Sequence, residues 1–373
     1  MRASSALLPI LDDQPAGKKS VPHPFLHVAP GGVYNPLTDR ALAPGEPGYE
    51  PLRALLAGTL GAADLEPGDL ALLTAGGWLA DPGDDLSRRF LLKYVSLEAH
   101  TVCNQACYFC PVSVDPREAY FMPTDLYERI VGEVAAYRDT IAAVFMINYN
   151  EPTLDKRFVD QVRTIKEAGL PPAVLTNGSG LTPKRVDALL AAGGLRYLSI
   201  NLSTLDRERY QATRGGAHLD TVRRNLDYLK DLPVAEEMHI VVLGTGDETH
   251  LLDFAAIRDA YAGSRFEVKY YEVMDRASYL QIGRAIGDRQ RPLCGCDNVG
   301  SRPLQHLHVT PHGKCVLCCE DYDENYVVGD LTEQSVAEVL AGPEIARLRR
   351  WAYGVEEAPA DFLCRKCVFA LQR

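Results

Sequence analysis

Residues 103–110 read Cys-Asn-Gln-Ala-Cys-Tyr-Phe-Cys, which places three cysteines in a Cys-x3-Cys-x2-Cys pattern on one short loop. Three thiolates so arranged suit a cubane iron–sulfur cluster and leave one of its four irons without a protein ligand. A small molecule can chelate that open iron. The same residues also allow a zinc site, which requires four ligands and commonly uses pairs of Cys-x2–4-Cys. No His or Cys just beyond residue 110 supplies an obvious fourth ligand, so the pattern favours the cluster.

Around this loop, short apolar runs alternate with long amphipathic segments, which predicts an α/β fold. The predicted strands are residues 91–97, Ala142–Asn148, Ala173–Thr176, Leu195–Leu202, His239–Leu243 and Phe266–Val273. The predicted helices are Thr124–Tyr137, Lys156–Ala168, Pro183–Ala192, Arg207–Ala212, Leu219–Lys230 and His250–Tyr261. Each crossover is long enough for a βαβ unit, so we expect parallel strands with helices outside. Because a complete eight-unit barrel needs about 250 residues, we expect residues 90–290 to form a partial (β/α)6 TIM-type barrel with function at the strand C-terminal ends.

The cysteine loop resembles the signature of radical S-adenosylmethionine (SAM) enzymes through Cys103, Cys107, Cys110 and the aromatic Phe109. The resemblance covers roughly residues 91–290. It implies a [4Fe-4S] cluster with an open iron for SAM, and an electron donor such as flavodoxin or ferredoxin. It also implies that one electron passed to the SAM sulfonium releases methionine and a 5′-deoxyadenosyl radical, which abstracts a substrate hydrogen.

Residues 148–152, Asn-Tyr-Asn-Glu-Pro, follow the second predicted strand at the place of the family's G-G-E-P motif. That motif holds the SAM amino group, so the resemblance implies cofactor-binding roles for Asn150 and Glu151. This chain departs from the family pattern by carrying Tyr149 and Asn150 in place of the two glycines.

Two further loops extend the resemblance. Thr176-Asn177-Gly178 follows the third predicted strand, where the family approaches the adenosine. Residues 198–215 are similar to the fourth strand and next helix of the family's molybdenum-cofactor branch. That similarity implies that Asn201 and Ser203 face the SAM ribose and that Arg214 lies near the SAM carboxylate.

The remaining seven of the ten cysteines lie in the last eighty residues. This region, residues 291–373, resembles the SPASM/twitch extension of radical SAM enzymes through Gly313 with Cys318 and a late Cys-x2-Cys pair. The resemblance implies one auxiliary [4Fe-4S] cluster. Its four implied ligands are Cys296, Cys318, Cys364 and Cys367, with Cys294 the alternative to Cys296. Since residues 320–363 contain no cysteine, the single-cluster, twitch-like version fits better than a full SPASM domain. A zinc site made by Cys315, Cys318, Cys364 and Cys367 is the alternative from spacing alone.

Three cysteines are left after the seven implied ligands: Cys294, Cys315 and Cys319. One interpretation is that they are small buried hydrophobic side chains. The other is that Cys319 or Cys315 donates a hydrogen atom to a substrate radical, which would make the enzyme an epimerase.

Residues 1–20 are predicted to form a tail, and residues 21–85 a small winged-helix-like domain of short strands and helices. Its order of elements is similar to the recognition element that binds leader peptides of ribosomally made, post-translationally modified peptides. The alternative is a docking domain that covers the barrel. The expected substrate is therefore a peptide in natural-product biosynthesis. The alternatives are dehydrogenation or epimerisation of a sugar or aminoglycoside-type metabolite, or a non-catalytic metal-binding protein.

The composition of the 373 residues limits the possible partners. Apolar residues make up 46% and the net charge is −11, so wholesale disorder is excluded and nonspecific binding to nucleic acid is disfavoured. No run approaches 18 apolar residues, and the N-terminus lacks a secretory signal, so neither membrane insertion nor export is expected. Cysteines clustered as metal ligands, rather than spread as disulfides, favour a cytoplasmic location.

Overall fold

The computed structural model describes residues 20–29, 31–283 and 291–372. All but the last residue of the predicted tail lies outside these ranges. The strands are β1 Val21–Pro22, β2 His27–Ala29, β3 Gly32–Asn35, β4 Arg40–Leu42, β5 Leu79–Ala80, β6 Tyr94–Leu97, β7 Ala143–Phe145, β8 Pro172–Thr176, β9 Leu195–Asn201, β10 Ala235–Gly244, β11 Glu267–Glu272, β12 Leu293–Cys296, β13 His306–Val309, β14 Lys314–Val316, β15 Val327–Asp330 and β16 Ala370–Gln372. The α-helices are α1 Tyr49–Leu56, α2 Pro67–Ala75, α3 Thr124–Val134, α4 Phe158–Glu167, α5 Pro183–Ala191, α6 Arg207–Arg214, α7 Leu219–Leu229, α8 Glu248–Ala260, α9 Arg302–Gln305, α10 Val336–Leu340 and α11 Pro343–Ala352.

Strands β6 to β11 lie side by side in chain order and are all parallel, with helices between them. The barrel strands are largely buried: in β6, Val95 and Leu97 belong to the main core. Leu198 and Ile200 of β9 are buried in the same core. The predicted α/β fold with a partial barrel is therefore confirmed, and the loops that follow the strands meet at one end.

The barrel sheet continues into the C-terminal part of the chain. Strand β13 pairs with β6 in parallel, with Val309 opposite Leu97, and β14 and β15 extend the sheet antiparallel. All four residues of β13 are buried, as expected for a strand with neighbours on both edges. Among the described residues this sheet thus has nine strands, and the region that carries the second cysteine set is built directly onto the first barrel strand.

The N-terminal residues form a three-stranded antiparallel sheet, β2-β3-β4, with its own apolar core. This core is built from Leu26, Val33, Leu42, Leu52, Leu55, Leu73, Trp78 and Leu79. Helix α1 ends at Leu56, because Gly58 adopts a left-handed φ of 70° and stops the helix. The unit also contacts the C-terminal region: Gln305 Nε2 donates to Tyr34 Oη at 2.7 Å, and His27 Nε2 lies 2.7 Å from Tyr353 Oη.

Within the described ranges, no helix is both long and apolar enough to cross a bilayer.

Candidate cofactor and substrate site

The first cysteine loop follows β6 at the C-terminal end of the barrel strands. Its backbone is tied to the end of α6, because Ala106 N donates to the Arg214 carbonyl at 2.9 Å. The pKa of Cys103 is raised to about 12, chiefly by burial and to a smaller extent by the nearby Glu151, Cys107 and Cys110, against a hydrogen bond from the Gln105 backbone. The structure therefore brings the three cysteines together in a partly buried place, with Cys107 the most buried, where a thiolate needs a metal or a cation to stabilise it.

A buried cation lies beside these cysteines. The Nη2 atom of Arg214 donates to Asn201 Oδ1 at 2.6 Å and to Ser203 Oγ at 2.7 Å. Its Nη1 atom lies 3.7 Å from Cys107 Sγ, and its guanidinium carbon lies 4.9 Å from the Phe109 ring centroid. Arg214 is 1% exposed, its Nε has no acceptor, and no carboxylate among the described residues forms an ion pair with it. A buried charge is costly unless it is paired, so this geometry calls for an anionic ligand.

Glu151 joins the loops after β7 and β8. Its Oε1 accepts hydrogen bonds from the Thr153 hydroxyl at 2.5 Å and the Thr176 hydroxyl at 2.6 Å, and its Oε2 accepts from Asn177 N at 2.7 Å. Burial raises the pKa of this carboxyl, and the hydrogen bonds act in the opposite direction. Both oxygens are thus engaged within the protein, so Glu151 fixes the site framework. Its contact with the SAM amino group stays a prediction.

Two neighbouring asparagine side chains differ in their hydrogen bonding: one contacts the cysteine loop, and the other keeps a buried oxygen without a donor among the described residues. Asn177 Nδ2 donates to Asn104 Oδ1 at 2.8 Å, which links the loop after β8 to the cysteine loop. Asn150 is buried, and its Nδ2 lies 3.4 Å from His100 Nε2. Its Oδ1 accepts no hydrogen bond from the part of the chain that the structure describes. Buried oxygens are nearly always paired, so we expect a ligand or water at Asn150.

The second cysteine set gathers around Arg302, which the sequence analysis did not identify. Its guanidinium Nη1 donates to Cys319 Sγ, and its buried charge also acts on Cys318 and Cys296. The only feature of the sequence that could have indicated Arg302 is its position shortly after Cys296.

The late cysteine pair joins the same set. Burial raises the pKa of Cys364 well above its usual range, and the Cys367 and Cys296 thiols raise it further. The segments around Cys296, Cys318 and Cys364 therefore converge, although their roles as ligands stay predictions.

The two cysteines predicted as hydrogen donors lie in different surroundings. Cys315 is fully buried in β14 within the main apolar core. Cys319 is partly exposed and lies beside Glu320, with Sγ 3.8 Å from the Glu320 carboxylate. Its pKa is lowered to about 7, first by a hydrogen bond with Cys318 and then by the charge of Arg302, against the effect of burial.

Among the residues that the structure describes, no group of three or more His, Cys, Asp and Glu side chains is arranged to hold a single metal ion. A cubane cluster makes a different demand, because each thiolate binds its own iron.

A cavity of about 580 Å³ opens between the segment after β11 and the C-terminal region. Arg276 pairs with Glu320 at 3.2 Å on its wall, next to Cys319. Acidic, basic and aromatic side chains also line it, including Tyr279, Tyr322, Asp361 and Lys366. Its place beside the second cysteine set makes it a candidate substrate entrance.

Comparison with known families agrees with this geometry. Residues 97–264 match the model of the radical SAM superfamily, and residues 296–368 match the SPASM iron–sulfur cluster-binding domain. This chain belongs to the radical SAM superfamily. The cofactors of such a protein are a [4Fe-4S] cluster, SAM and an auxiliary iron–sulfur cluster. The grouped thiols and the buried, unpaired Arg214 of this radical SAM protein fit them.

Individual relatives of this radical SAM protein differ in their reactions. It is 31% identical over 212 residues to a GTP 3′,8-cyclase of Synechococcus elongatus, a match that covers 54% of this chain and 61% of the cyclase. It is 21% identical over 282 residues to the S-adenosyl-L-methionine-dependent 2-deoxy-scyllo-inosamine dehydrogenase of Niallia circulans, which covers 74% of this chain and 93% of the dehydrogenase. The chain thus spans less than two thirds of the length of the cyclase.

The fold of SuiB from Streptococcus suis, solved bound to the precursor peptide SuiA, is similar with a TM-score of 0.57 at 12% identity. The match covers 88% of this chain and 90% of SuiB.

Proposed function

We propose that this radical SAM protein is an enzyme that cleaves SAM reductively and abstracts a hydrogen atom from a ribosomally made peptide. When bound, the cluster and SAM supply one electron and a 5′-deoxyadenosyl group able to remove a substrate hydrogen. The observation that carries the proposal is the buried, unpaired guanidinium of Arg214 beside Cys107. A SAM carboxylate supplies the anion that this cation lacks among the described residues.

The chain's own residues have separate tasks in this proposal. Cys103, Cys107 and Cys110 hold the cluster, while Arg214 binds the SAM carboxylate. Asn201 and Ser203 were predicted to face the ribose; their oxygens accept from Arg214, so we propose that they orient the guanidinium. The buried setting excludes water from this charge pair and thereby strengthens it.

The N-terminal unit supports a peptide as the substrate. Strand β4 pairs only with β3 among the described residues, so its other edge is open for an added strand. Edge addition is a common mode of peptide recognition. The structural match to SuiB covers 88% of this chain. Because residues 90–373 make up only about three quarters of the chain, the match has to include part of the N-terminal unit. The same unit also serves the alternative role of a docking domain, because the side chains of His27 and Tyr34 contact the C-terminal region.

The test first searches for a short precursor peptide encoded beside the gene, and then compares this peptide with the same peptide lacking its leader, on the intact enzyme. We expect the leaderless peptide to be turned over with a KM raised by about tenfold or more, the equivalent of a lost strand of hydrogen bonds. SAM cleavage without substrate serves as the control, because it does not depend on the leader. Equal KM values for the two peptides would refute the recognition role.

A second candidate function is dehydrogenation or epimerisation of a sugar or aminoglycoside-type metabolite. The similarity to the Niallia circulans dehydrogenase over 93% of its length favours it. Cys319, beside the cavity residue Glu320, is the proposed hydrogen donor for an epimerase. Product formed in heavy water should then carry deuterium at the reacting carbon, and product without deuterium would exclude the donor role.

We further propose a cytoplasmic location, where thiols stay reduced, and flavodoxin or ferredoxin as the electron donor. A non-catalytic metal-binding protein is the remaining alternative. It predicts no 5′-deoxyadenosine when the purified, cluster-loaded protein is reduced with dithionite in the presence of SAM.

A further inference from the structure

Tyr149 stands where the family motif has a glycine, and its side chain leaves the barrel to reach the C-terminal region. Its backbone N donates to Glu98 Oε1 at 2.9 Å, which anchors it to the loop after β6. Its phenol hydroxyl donates to the carbonyl oxygen of Cys319. Tyr149 is 8% exposed and Cys319 is of intermediate exposure, so this hydrogen bond is partly shielded from water. A glycine at residue 149 could not make it.

A second tyrosine makes the reciprocal contact. The hydroxyl of Tyr322, in the C-terminal region, donates at 2.5 Å to the carbonyl oxygen of Asp115, in the loop that follows the first cysteine set. The rings of Tyr149 and Tyr322 pack edge to face with centroids 4.8 Å apart. Each tyrosine therefore caps a backbone carbonyl on the opposite side.

Arg117 holds the two rings in place. Its guanidinium carbon lies 5.5 Å from the centroid of Tyr149 and 5.5 Å from that of Tyr322, within the range of cation–π attraction. The same guanidinium forms a two-pronged ion pair with Glu98, with N···O distances of 2.5 and 3.1 Å. Glu98 is 1% exposed, so one buried carboxylate anchors both Arg117 and the backbone of Tyr149. We call Glu98, Arg117, Tyr149 and Tyr322 the tyrosine bridge.

The position of the bridge gives it a role. Asp115 comes five residues after Cys110, and Cys319 is adjacent to Cys318, so the two capped carbonyls belong to the loops that carry the two predicted ligand sets. A buried carbonyl that loses its donor bears the full cost of desolvation and tends to turn towards another partner. Losing the cap on Cys319 would therefore shift the chain beside Cys318.

We propose that the tyrosine bridge is a positioning device that fixes the loop of the auxiliary cluster against the SAM site. The proposal rests on the proposed function only for the presence of both clusters and of a substrate. The bridge holds two loops at one spacing although its two hydrogen bonds join residues 170 and 207 positions apart in the sequence.

The test uses Tyr149→Phe and Tyr322→Phe in the full-length, cluster-loaded enzyme, since each change removes one hydroxyl and keeps the ring. Tyr228→Phe is the matched control, because its hydroxyl donates at 2.7 Å to Asp187 Oδ1, between α7 and α5, and contacts neither cysteine loop nor the cavity. The first readout is the electron paramagnetic resonance spectrum and midpoint potential of the auxiliary cluster, measured without SAM or substrate. The second is the amount of product formed per 5′-deoxyadenosine.

We expect Tyr149→Phe to change the auxiliary-cluster spectrum and to lower product per 5′-deoxyadenosine by about tenfold, the effect of one buried hydrogen bond. The variant that carries both Tyr149→Phe and Tyr322→Phe should form no less than about half the product per 5′-deoxyadenosine that Tyr149→Phe forms, because the two hydroxyls act together in one bridge. Tyr228→Phe should alter neither readout. If Tyr149→Phe lowers only the melting temperature and leaves spectrum and ratio as in the wild type, the bridge is packing and the proposal is wrong. Failure of the proposed function shows separately, as a wild-type enzyme without SAM cleavage.

Discussion

The two cysteine sets of this molecule are built in opposite ways. The first lies within residues 103–110, on one loop, and is completed by a single distant side chain, Arg214. The second is gathered from three segments, near Cys296, Cys318 and Cys364, around Arg302. A local set can be recognised from spacing alone, whereas a dispersed set exists only once the sheet that carries it has formed.

The cations of the two sets differ as well. Arg214 contacts neutral oxygens, a thiol and the Phe109 ring but no carboxylate among the described residues, so its charge is available to an added ligand. Arg302 already contacts the Cys319 thiol, and Glu320 lies nearby. The first site is thus prepared to bind a small anion, while the second is closer to electrostatic balance without one.

The largest expected effect separates the two sets by function. Cys107→Ala should abolish SAM cleavage, because the first cluster loses one of only three protein ligands. Cys364→Ala, the matched change in the second set, should leave 5′-deoxyadenosine formation detectable while substrate turnover is lost. Chromatographic assay of 5′-deoxyadenosine, with iron content for each variant, checks both. A Cys107→Ala enzyme that still produces 5′-deoxyadenosine would break the comparison and the family mechanism with it.

A smaller effect concerns the charge at the first set. Arg214→Ala should raise the KM for SAM by about 100-fold, the equivalent of roughly 3 kcal/mol for a buried charge-assisted pair. Arg214→Lys should lie between this variant and the wild type, since it keeps the charge but not the fork that reaches Asn201 and Ser203. Initial rates at varied SAM concentration give the values. An unchanged KM in Arg214→Ala would show that the carboxylate binds elsewhere.

The smallest effect is expected at Arg302. Replacing it by Gln removes a positive charge beside the second set, which disfavours the reduced, more negative cluster and lowers its midpoint potential. We expect a shift of about 60 mV, equivalent to a tenfold change in a one-electron equilibrium. Redox titration followed by electron paramagnetic resonance measures it. Arg347→Gln, an exposed change on α11, is the control and should leave the potential unaltered.

The sequence predicted much of the barrel because its signals are local. Helix α6 begins at the predicted Arg207, and β9 covers all but the last residue of the predicted 195–202. The observed strand boundaries differ from the predicted ones where pairing with a neighbouring strand decides them. Strand β6 begins at Tyr94 rather than at residue 91. Strand β10 begins at Ala235 rather than at His239, because Ala235 already pairs with Leu195 of β9.

The parts of the site that escaped prediction depend on contacts between remote residues. Nothing local to His306–Val309 indicates that this segment pairs with β6, more than two hundred residues earlier. Arg302 is an ordinary residue until Cys318 and Cys319 are brought beside it. Tyr149 was visible as a departure from the family motif, but its partner, the Cys319 carbonyl, lies 170 residues away.

The pairing of β13 with β6 has a consequence for protein engineering. An excised barrel lacking residues 291–373 would present the backbone donors and acceptors of β6 as a bare edge. Such edges pair with strands of other molecules, so the isolated barrel should aggregate on expression even if each of its six strands and the helices between them form correctly. A soluble minimal version has to retain β13 or carry a substitute strand in its place.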